Sequence, residues 1–475
     1  MTMTAMDSPA AAAPRIAPGP RGHLLLGIIP EVRRDVLGFL MKSARQHGDV
    51  VRYRFGPLKT GHLIVHPDGV RHVLQEHVGN YTKDHVSYRM IRGIAGNGLL
   101  TSQGSFWLRQ RRLAQPAFHR QRISAMAEGM TRTTAAMLER WEGPATRGEP
   151  VVMVEEMMRL TLTIVGEALF GAALGEQAEV VGRAFNVLSA QTTDRFRSLR
   201  LLPPVLPTRY DHEYRAAGRT LRDTVMALIS ERRRSGGGSD DLLSMFMLAK
   251  DEETGESMTD EQLRDEVLTM LVAGHETTAT TMSWVWALLE QHPEVEARLH
   301  AELDAVLGGR LPTAEDVPRL GYTRMVVEES MRLYPPAYIF SRAVKEDDVI
   351  GGYRIPKGSW VDVSPYVTHR HPDFWERPEE FIPERFLPEA SAKRPRYAYF
   401  PFSGGPRQCI GNGFAMMEAQ LILATVAQRF RPRRLPGHVL TPEPLITLRP
   451  AGGLPMHLER RAPGRNAHSG ATSAG

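Results

Sequence analysis

The pattern of apolar and polar positions predicts a chain that is mostly helical. Four segments carry apolar residues at every third or fourth position, which is the spacing of one face of an amphipathic helix. A longer stretch of the same character runs from Thr259 to Gln291, and a last helix is predicted at about 411–430. The four shorter helical segments span about 120–141, 151–170, 176–196 and 210–234.

Strands are predicted at few places. Residues 50–55 and 63–65 are typical of short strands, and the glycine and proline between them favour an antiparallel pair. Beyond Pro335, short β-rich pieces such as 352–357 alternate with proline-rich irregular chain such as 371–388. The sequence therefore predicts one mainly α domain with a small β region.

Composition indicates the class of protein and where the folded domain begins and ends. The 475 residues are 42% hydrophobic and 24% charged, as in an ordinary globular protein. We expect the domain to span 21–460, between disordered tails of small residues at 1–20 and 461–475. The net charge is +5, but the basic residues are scattered and no aromatic platform for bases accompanies them, so nucleic-acid binding is not expected.

Cysteine usage and hydropathy indicate a compartment. The single cysteine excludes an intramolecular disulfide and favours a reducing environment, so a cytoplasmic protein is expected. The early apolar run at 24–29 is interrupted by Gly27 and is far shorter than the roughly 20 residues that a membrane span needs. No membrane anchor is therefore expected.

The one cysteine lies in a glycine-rich loop that opens onto the last predicted helix. Backbone N–H groups and the helix dipole at such a place favour a thiolate and lower the pKa of the thiol, and Arg407 adds positive charge near Cys409. A lone cysteine is more often a small buried apolar residue. The loop by itself leaves both interpretations open.

The residues around the cysteine favour the thiolate. Phe402, Gly405, Arg407, Cys409 and Gly411 match every fixed position of the pattern F-x-x-G-x-R-x-C-x-G, so the chain resembles the cytochrome P450 family. The resemblance implies a triangular, mainly helical prism with heme b (iron protoporphyrin IX) between the long helix and the cysteine helix. It also implies that the thiolate is the axial iron ligand, with the phenylalanine beside the sulfur and the arginine on a propionate. A thiolate ligand favours O–O cleavage.

The long helix contains a second signature. Residues 273–278 place an acid and two hydroxyls in an apolar run, where threonine can also bond back to a helix carbonyl without further function. A glycine in mid-helix costs about 1 kcal/mol. The segment matches the family's [AG]-G-x-[DE]-T-[TS] pattern. The resemblance implies that Ala273 and Gly274 leave room for dioxygen and that Glu276 and Thr277 relay protons to it.

An ion network is predicted at the end of another helix. Glu329 and Arg332 are three residues apart, and such a pair is usually a surface ion pair worth about 0–1 kcal/mol. The pair resembles the family's E-x-x-R helix, and residues 383–386 match its P-E-R-F element. The resemblance implies that Arg385 completes a buried network with the pair. Glu328 is the alternative acid, but its register relative to the following prolines is less favourable.

Three further residues resemble contacts to the haem propionates. Trp107 and Arg111 have the W-x-x-x-R spacing of the family's propionate-binding helix, and Arg342 resembles its strand arginine. Each arginine by itself is equally typical of a surface side chain that lays its stem along apolar groups.

The resemblance implies a dioxygen-dependent monooxygenase that hydroxylates or epoxidises a hydrophobic small molecule, such as a terpenoid, a fatty acid or a polyketide-like compound. Its two electrons are expected from a separate ferredoxin or flavodoxin with an NAD(P)H-dependent reductase. Basic segments at 109–112 and 393–396 are a candidate docking surface for that partner. We expect a monomer whose substrate pocket is lined by apolar segments 90–100, 201–207 and 337–340.

Two other classes of function share the thiolate loop. A haem-thiolate peroxygenase or isomerase needs no electron partner, and a non-catalytic haem-binding sensor needs no proton relay. The acid and alcohol at Glu276 and Thr277 favour the monooxygenase over both.

Overall fold

The computed structural model describes residues 13–57, 59–171, 177–198, 209–235 and 241–461. The mainly helical prediction is confirmed. The helices are α1 (Ile29–Arg34), α2 (Val36–His47), α3 (Pro67–Arg71), α4 (Val86–Ala95), α5 (Gly104–Ala114), α6 (Arg120–Ala125), α7 (Ala127–Arg147), α8 (Met153–Phe170), α9 (Gln177–Ser198), α10 (Arg209–Arg234), α11 (Leu242–Leu248), α12 (Asp260–Gln291), α13 (Pro293–Leu307), α14 (Gly321–Leu333), α15 (Pro365–Thr368), α16 (Pro388–Ala392) and α17 (Asn412–Ala427). A π-helical turn, His72–Glu76, follows α3.

The strands are short and form small sheets. They are β1 (Val50–Phe55), β2 (Lys59–Ile64), β3 (Tyr81–Thr82), β4 (Val151–Val152), β5 (Phe340–Val344), β6 (Asp348–Ile350), β7 (Tyr353–Ile355), β8 (Trp360–Val363), β9 (Phe430–Arg434), β10 (Pro442–Pro444), β11 (Leu448–Pro450) and β12 (Pro455–Arg460). The largest sheet has the order β1-β2-β8-β5-β3, and a second has the order β4-β12-β9. The pairs β6-β7 and β10-β11 complete the β structure of the described residues.

The N-terminal strand pair behaves as predicted. β1 pairs with β2 antiparallel, with Val50 opposite Ile64, and β2 then pairs with β8 in parallel, with Gly61 opposite Trp360. A Cβ at Gly61 would lie 2.4 Å from the Tyr53 ring and 2.6 Å from the Trp360 ring, so the glycine leaves room for both aromatic side chains. The sheet therefore joins the start of the chain to the segment that follows Pro335.

Several predicted helix bounds differ from the structure. The helix predicted at about 120–141 is two helices, α6 and α7, which meet at Met126. The first two residues of the segment at 151–170 form β4, and the last helix ends at Ala427 because the chain becomes β9 at Phe430. Both strands belong to one sheet, so long-range pairing with β12 overrides the local helical spacing.

The long helix α12 runs through the core. Thr259 and Gln262 form a reciprocal capping box at its start, at the residue where the sequence places the helix boundary. Most of its residues are buried, and it packs against α8, α14 and α17. A Cβ on Gly274 would lie 2.9 Å from Cγ2 of Val165 on α8. The glycine therefore allows the two helices to approach closely, in addition to the room for dioxygen that the resemblance implies.

The described part of the N-terminal segment lies on the β region. The backbone N–H of Arg15 donates to the carbonyl of Gly352 at 3.0 Å, and that of Arg52 donates to Pro18 at 2.8 Å. Ala17, between these two contacts, is 5% exposed. The remaining parts of the predicted tails, 1–12 and 462–475, lie outside the described residues. None of the described helices is long and apolar enough to cross a membrane.

Candidate functional site

The predicted thiolate loop lies directly before α17. The chain turns through Ser403 and Gly405, whose φ angles are 59° and 61°, and the Cys409 N–H donates to the Phe402 carbonyl at 3.0 Å. A Cβ on Gly405 would lie 2.0 Å from the carbonyl oxygen of Leu74. Gly405 is therefore required both by its left-handed φ and by its contact with a neighbouring backbone.

The second fixed glycine of the loop has a different environment. Gly411 is the N-cap of α17 and has a negative φ, −87°. A Cβ there would meet only the Phe118 ring, at 3.9 Å, which is ordinary van der Waals contact. Protein packing does not explain this glycine, so its expected role toward haem is separate from the backbone role of Gly405.

The Cys409 side chain combines exposed surface with a dense protein environment. It is exposed, and yet burial among surrounding protein atoms raises the pKa of the thiol. The Gly411 N–H and the positive charges of Arg111 and Lys83 oppose that rise. This corrects the sequence interpretation, which expected a lowered pKa and assigned the nearby charge to Arg407. Desolvation exceeds the opposing contributions, and a coordinated iron would add the further positive charge that favours the thiolate.

Cationic side chains gather beside the thiolate loop, and none of Lys83, Arg342 and Arg407 forms an ion pair with a carboxylate of the described residues. Burial and repulsion from Arg342 lower the pKa of Arg407 to about 10, and burial, with repulsion from Arg342 and Arg407, lowers the pKa of Lys83 well below its usual value. Nη1 of Arg407 is buried and has no hydrogen-bond partner among the described residues. Buried cations of this kind need counter-charges. The two propionates of heme b are suitable counter-charges, so the residues present fit this cofactor.

The predicted propionate helix, α5, reaches the same place. The guanidinium carbon of Arg407 lies 3.7 Å from the centroid of the Trp107 ring. Nη1 of Arg111 donates to the carbonyl oxygen of Gln408 at 2.9 Å. The structure thus brings together the arginines that the sequence placed on separate elements, and the cation–π contact holds one of them in place.

Sequence reasoning missed two residues of this cluster, Tyr88 and Lys83. Nη1 of Arg342 donates to the hydroxyl of Tyr88 at 2.6 Å, and Nζ of Lys83 donates to the carbonyl oxygen of Leu100 at 2.7 Å. Lys83 is 8% exposed. Lysine is seldom buried without a partner, but no local signal in the sequence reveals that burial.

One face of α12 is less buried than the rest of the helix. Ala273, Gly274 and Thr277 are half-buried, whereas the adjacent His275 and Glu276 are buried. Positions 273 and 277 lie one turn apart on the same face. Oγ1 of Thr277 donates to the carbonyl oxygen of Ala273 at 2.7 Å, so the predicted alcohol is satisfied within its own helix.

The predicted acid points away from that alcohol. Oε1 of Glu276 accepts a hydrogen bond from Oγ1 of Thr447 at 2.8 Å and lies 3.6 Å from Nη2 of Arg449. Glu276 is 2% exposed, whereas the Arg449 side chain is 21% exposed. The acid is therefore held by the segment at β11, and Arg449 extends from it toward solvent.

The predicted ion network is assembled and buried. Arg332 contacts both oxygens of Glu329, at 2.7 and 2.8 Å, and both side chains are 0% exposed. Nε of Arg385 lies 3.3 Å from Oε1 of the same acid. The alternative acid, Glu328, pairs with Arg324 on its own helix. The geometry therefore selects Glu329 as the centre of the network.

Two buried acids were not singled out by the sequence. Glu266 on α12 accepts from the Leu99 N–H at 3.0 Å and from Nε2 of Gln110 at 3.2 Å, and burial raises its pKa to about 7. Burial raises the pKa of Glu418 on α17 to about 8, which the nearby Thr278 hydroxyl only partly opposes. Both acids face other helices rather than water.

The proposed docking surface at 109–112 is not available as a positive patch. Arg109 pairs with Glu256 at 3.2 Å, and Arg112 pairs with Asp251 at 3.0 Å. Arg111, the remaining arginine of this segment, donates to the carbonyl oxygen of Gln408 in the thiolate loop. The sequence interpretation was wrong here because acids from the chain before α12 neutralise these arginines.

The expected substrate segments can be compared only in part. Residues 337–340 are all half-buried, which is consistent with a wall that borders a cavity. Part of 90–100 forms α4, which packs against α12. The segment 201–207 lies outside the described residues.

The chain is similar to known proteins over almost its whole length. The family model for "Cytochrome P450" matches residues 17–453. The chain is 39% identical over 417 residues to "Cyclooctat-9-en-7-ol 5-monooxygenase" of Streptomyces melanosporofaciens, which covers 88% of this chain and 89% of that protein. It is 36% identical over 430 residues to "Pentalenene oxygenase" of Streptomyces avermitilis, with 90% and 93% covered. A crystal structure of the cytochrome P450DA heme domain has a TM-score of 0.87, at 30% identity, with 95% and 98% covered.

Proposed function

Because the chain belongs to the cytochrome P450 family, we propose that it inserts one oxygen atom from O2 into a cyclic, terpenoid-like alkene or alcohol. Haem-thiolate monooxygenase activity follows from the family. The substrate class rests on one observation: two relatives named for oxygenation of pentalenene and cyclooctat-9-en-7-ol match at least 88% of the chain. This favours the terpenoid over the fatty acid and the polyketide among the expected substrates.

Cys409 and the cation cluster would hold the cofactor. The thiolate of Cys409 would bind the iron, and Arg111, Arg342 and Arg407 would hold the propionates. Trp107 supports this assignment because its ring holds the Arg407 guanidinium at 3.7 Å. Bound haem supplies the iron at which dioxygen is activated.

The remaining loop residues would shape the surroundings of the sulfur. Phe402 is half-buried and packs against the main core, so its ring would limit water near the thiolate. Gly405 fixes the loop on the Leu74 backbone, and Gly411 keeps the entrance to α17 free of a side chain. Each role concerns the position of Cys409 rather than the chemistry of the substrate.

The protons would come through α12. The Thr277 hydroxyl lies on the half-buried face of the helix, where it would donate to oxygen. Glu276 would resupply protons from the opposite side, where Arg449 leads toward solvent. Because the two side chains point to different partners, water or a rotation of Glu276 would have to connect them.

A separate ferredoxin or flavodoxin with its NAD(P)H-dependent reductase would supply the electrons. Lys393 and Arg396 are exposed and follow the ion network in sequence. The neighbouring Tyr397 packs so closely on Gly404 that a Cβ there would lie 2.3 Å from its ring. Arg396 shares a surface pocket with Phe402 and Gln408 of the thiolate loop, and an acidic electron carrier would dock there.

Substrate binding can be tested with the haem-loaded protein. Pentalenene and cyclooctat-9-en-7-ol should each displace water from the iron and shift the Soret band, whereas dodecanoic acid, as the matched hydrophobic control, should not. With ferredoxin, reductase and NADPH, the bound compound should gain one oxygen atom. Conversion of the fatty acid while neither terpenoid binds would overturn the proposed substrate class.

A further inference from the structure

Two histidines and an aspartate form a compact group away from the thiolate loop. Nε2 of His72 lies 2.9 Å from Oδ2 of Asp348, and Nδ1 of His77 lies 3.9 Å from the same oxygen. The candidate ligand atoms of the three residues all lie within 4.8 Å of one another. The two imidazole rings are stacked, with centroids 3.8 Å apart and planes inclined by 12°.

A π-helical turn creates the histidine pair. Residues five apart in an α-helix are separated by about 140° around the axis, so their side chains point to different faces. In His72–Glu76 the chain instead forms a π-turn, and the His77 N–H donates to the His72 carbonyl at 2.9 Å. This places His77 over His72. Single π-turns are uncommon and are frequently found at functional sites.

Hydrogen bonds fix the aspartate in place. The Val349 N–H donates to Oδ1 of Asp348 at 2.7 Å. The Tyr81 hydroxyl donates to Oδ2 at 2.7 Å, and Asn80 Nδ2 donates to the same oxygen at 3.4 Å. Such partners orient a carboxylate that binds a metal.

We propose that His72, His77 and Asp348 bind one Zn²⁺ ion, with water as the fourth ligand. Two imidazole nitrogens and one carboxylate oxygen are ligands that zinc prefers, and three protein ligands leave one position open. Ligand atoms around tetrahedral zinc lie about 3.3 Å apart, from bond lengths near 2.0 Å. The observed 2.9 and 3.9 Å to the carboxylate oxygen bracket this spacing, and the stacked rings must tilt toward each other to direct both imidazole lone pairs at one ion.

The bound ion would connect β6 to the π-turn that supports the thiolate loop. Asp348 belongs to β6, and both histidines belong to the π-turn and its end. Leu74 lies inside that turn, and its carbonyl oxygen leaves no room for a side chain at position 405. Zinc would therefore stabilise the support of the loop without touching the haem.

The test uses haem-loaded protein without a histidine tag, so that Cys409 is coordinated, and titrates it with Zn²⁺ by calorimetry. We expect one zinc per haem in the wild type and no saturable binding in His77→Ala or Asp348→Asn. His119→Ala is the matched control, because His119 is exposed and makes no side-chain capping bond. It should bind zinc as the wild type does.

A second variant separates ligation from folding. Tyr81→Phe keeps the ring and removes only the bond to Asp348, so zinc affinity should fall roughly tenfold while haem content is unchanged. Zinc should also raise the melting temperature of the wild type, and a chelator should reverse the rise. Absence of saturable binding in the wild type, or binding that persists in His77→Ala, would overturn the site and leave the proposed oxygenase function unaffected.

Discussion

The hydroxyl of Thr447 donates a 2.8 Å hydrogen bond to Oε1 of Glu276, across 171 residues of sequence. Thr447 lies directly before β11, and Thr280, one turn along α12 from the acid, lies 3.3 Å from the same hydroxyl. The acid of α12 is therefore positioned by the C-terminal part of the chain. Its partner sets the direction from which protons would arrive.

Replacing this partner should uncouple oxygen use from product formation. Thr447→Val keeps the shape of the side chain and leaves Glu276 without its donor, at a cost of about 1–3 kcal/mol in stability. Slower proton delivery should lower the product formed per NADPH consumed and raise hydrogen peroxide release. Thr280→Val is the control, because Glu276 retains its bond to Thr447. If both variants formed the same amount of product per NADPH consumed, a positioning role for Thr447 would be contradicted.

The acid and alcohol themselves should be needed only with dioxygen. Glu276→Gln and Thr277→Ala should each lower the rate with O2 and NADPH by about 10²- to 10⁴-fold. Turnover driven by added hydrogen peroxide should change much less, because the peroxide brings its own protons. The ratio of the two rates is the measurement. A parallel loss of both rates would instead favour a peroxygenase in which the two residues hold the substrate.

The cation cluster predicts how tightly haem is held. Arg407→Met removes a buried guanidinium whose Nη1 has no partner among the described residues. If that nitrogen donates to a propionate, haem affinity should fall about 10- to 100-fold, since a charge-assisted bond is worth about 1.5–3 kcal/mol. Transfer of haem to an acceptor protein measures this. Arg396→Met, at an exposed position, should leave the transfer rate unchanged.

The two motif glycines should respond differently to alanine. Gly405→Ala would force a Cβ to 2.0 Å from the Leu74 carbonyl at a φ of 61°, so it should lower the free energy of unfolding by at least about 1–3 kcal/mol. Gly411→Ala meets only a 3.9 Å contact and should leave stability nearly unchanged, while it lowers haem content. Thermal unfolding and the haem-to-protein absorbance ratio separate the two effects. Similar losses of stability would contradict the distinction.

Local signals predicted the parts of the site that lie within single segments. The glycines around Cys409, the acid and alcohol at Glu276 and Thr277, and the pair Glu329 and Arg332 each lie within a dozen residues of sequence. Thr447 and Lys83 could not be found in this way, since their partners are distant in sequence. The lowered thiol pKa was wrongly predicted for a related reason, because the sequence shows nearby charges but not the burial that outweighs them.

The last prediction concerns Glu418, whose carboxyl is buried and has no hydrogen bond of normal geometry among the described residues. Its pKa is raised from 4.5 to about 8 by burial, so it is protonated in the folded protein at neutral pH and ionised in the unfolded chain. The folded state therefore binds more protons, and this residue's contribution to stability is lost as pH rises from about 4.5 to 8.

Glu418→Gln should then be more stable than the wild type at pH 8, by a few kcal/mol, and the difference should vanish near pH 4.5. Urea unfolding of haem-loaded protein across this range measures it, with Glu389→Gln, at an exposed position, as the control that shows no such trend. A variant that is less stable at every pH would mean that Glu418 is ionised and bound to a cationic or water partner inside the fold.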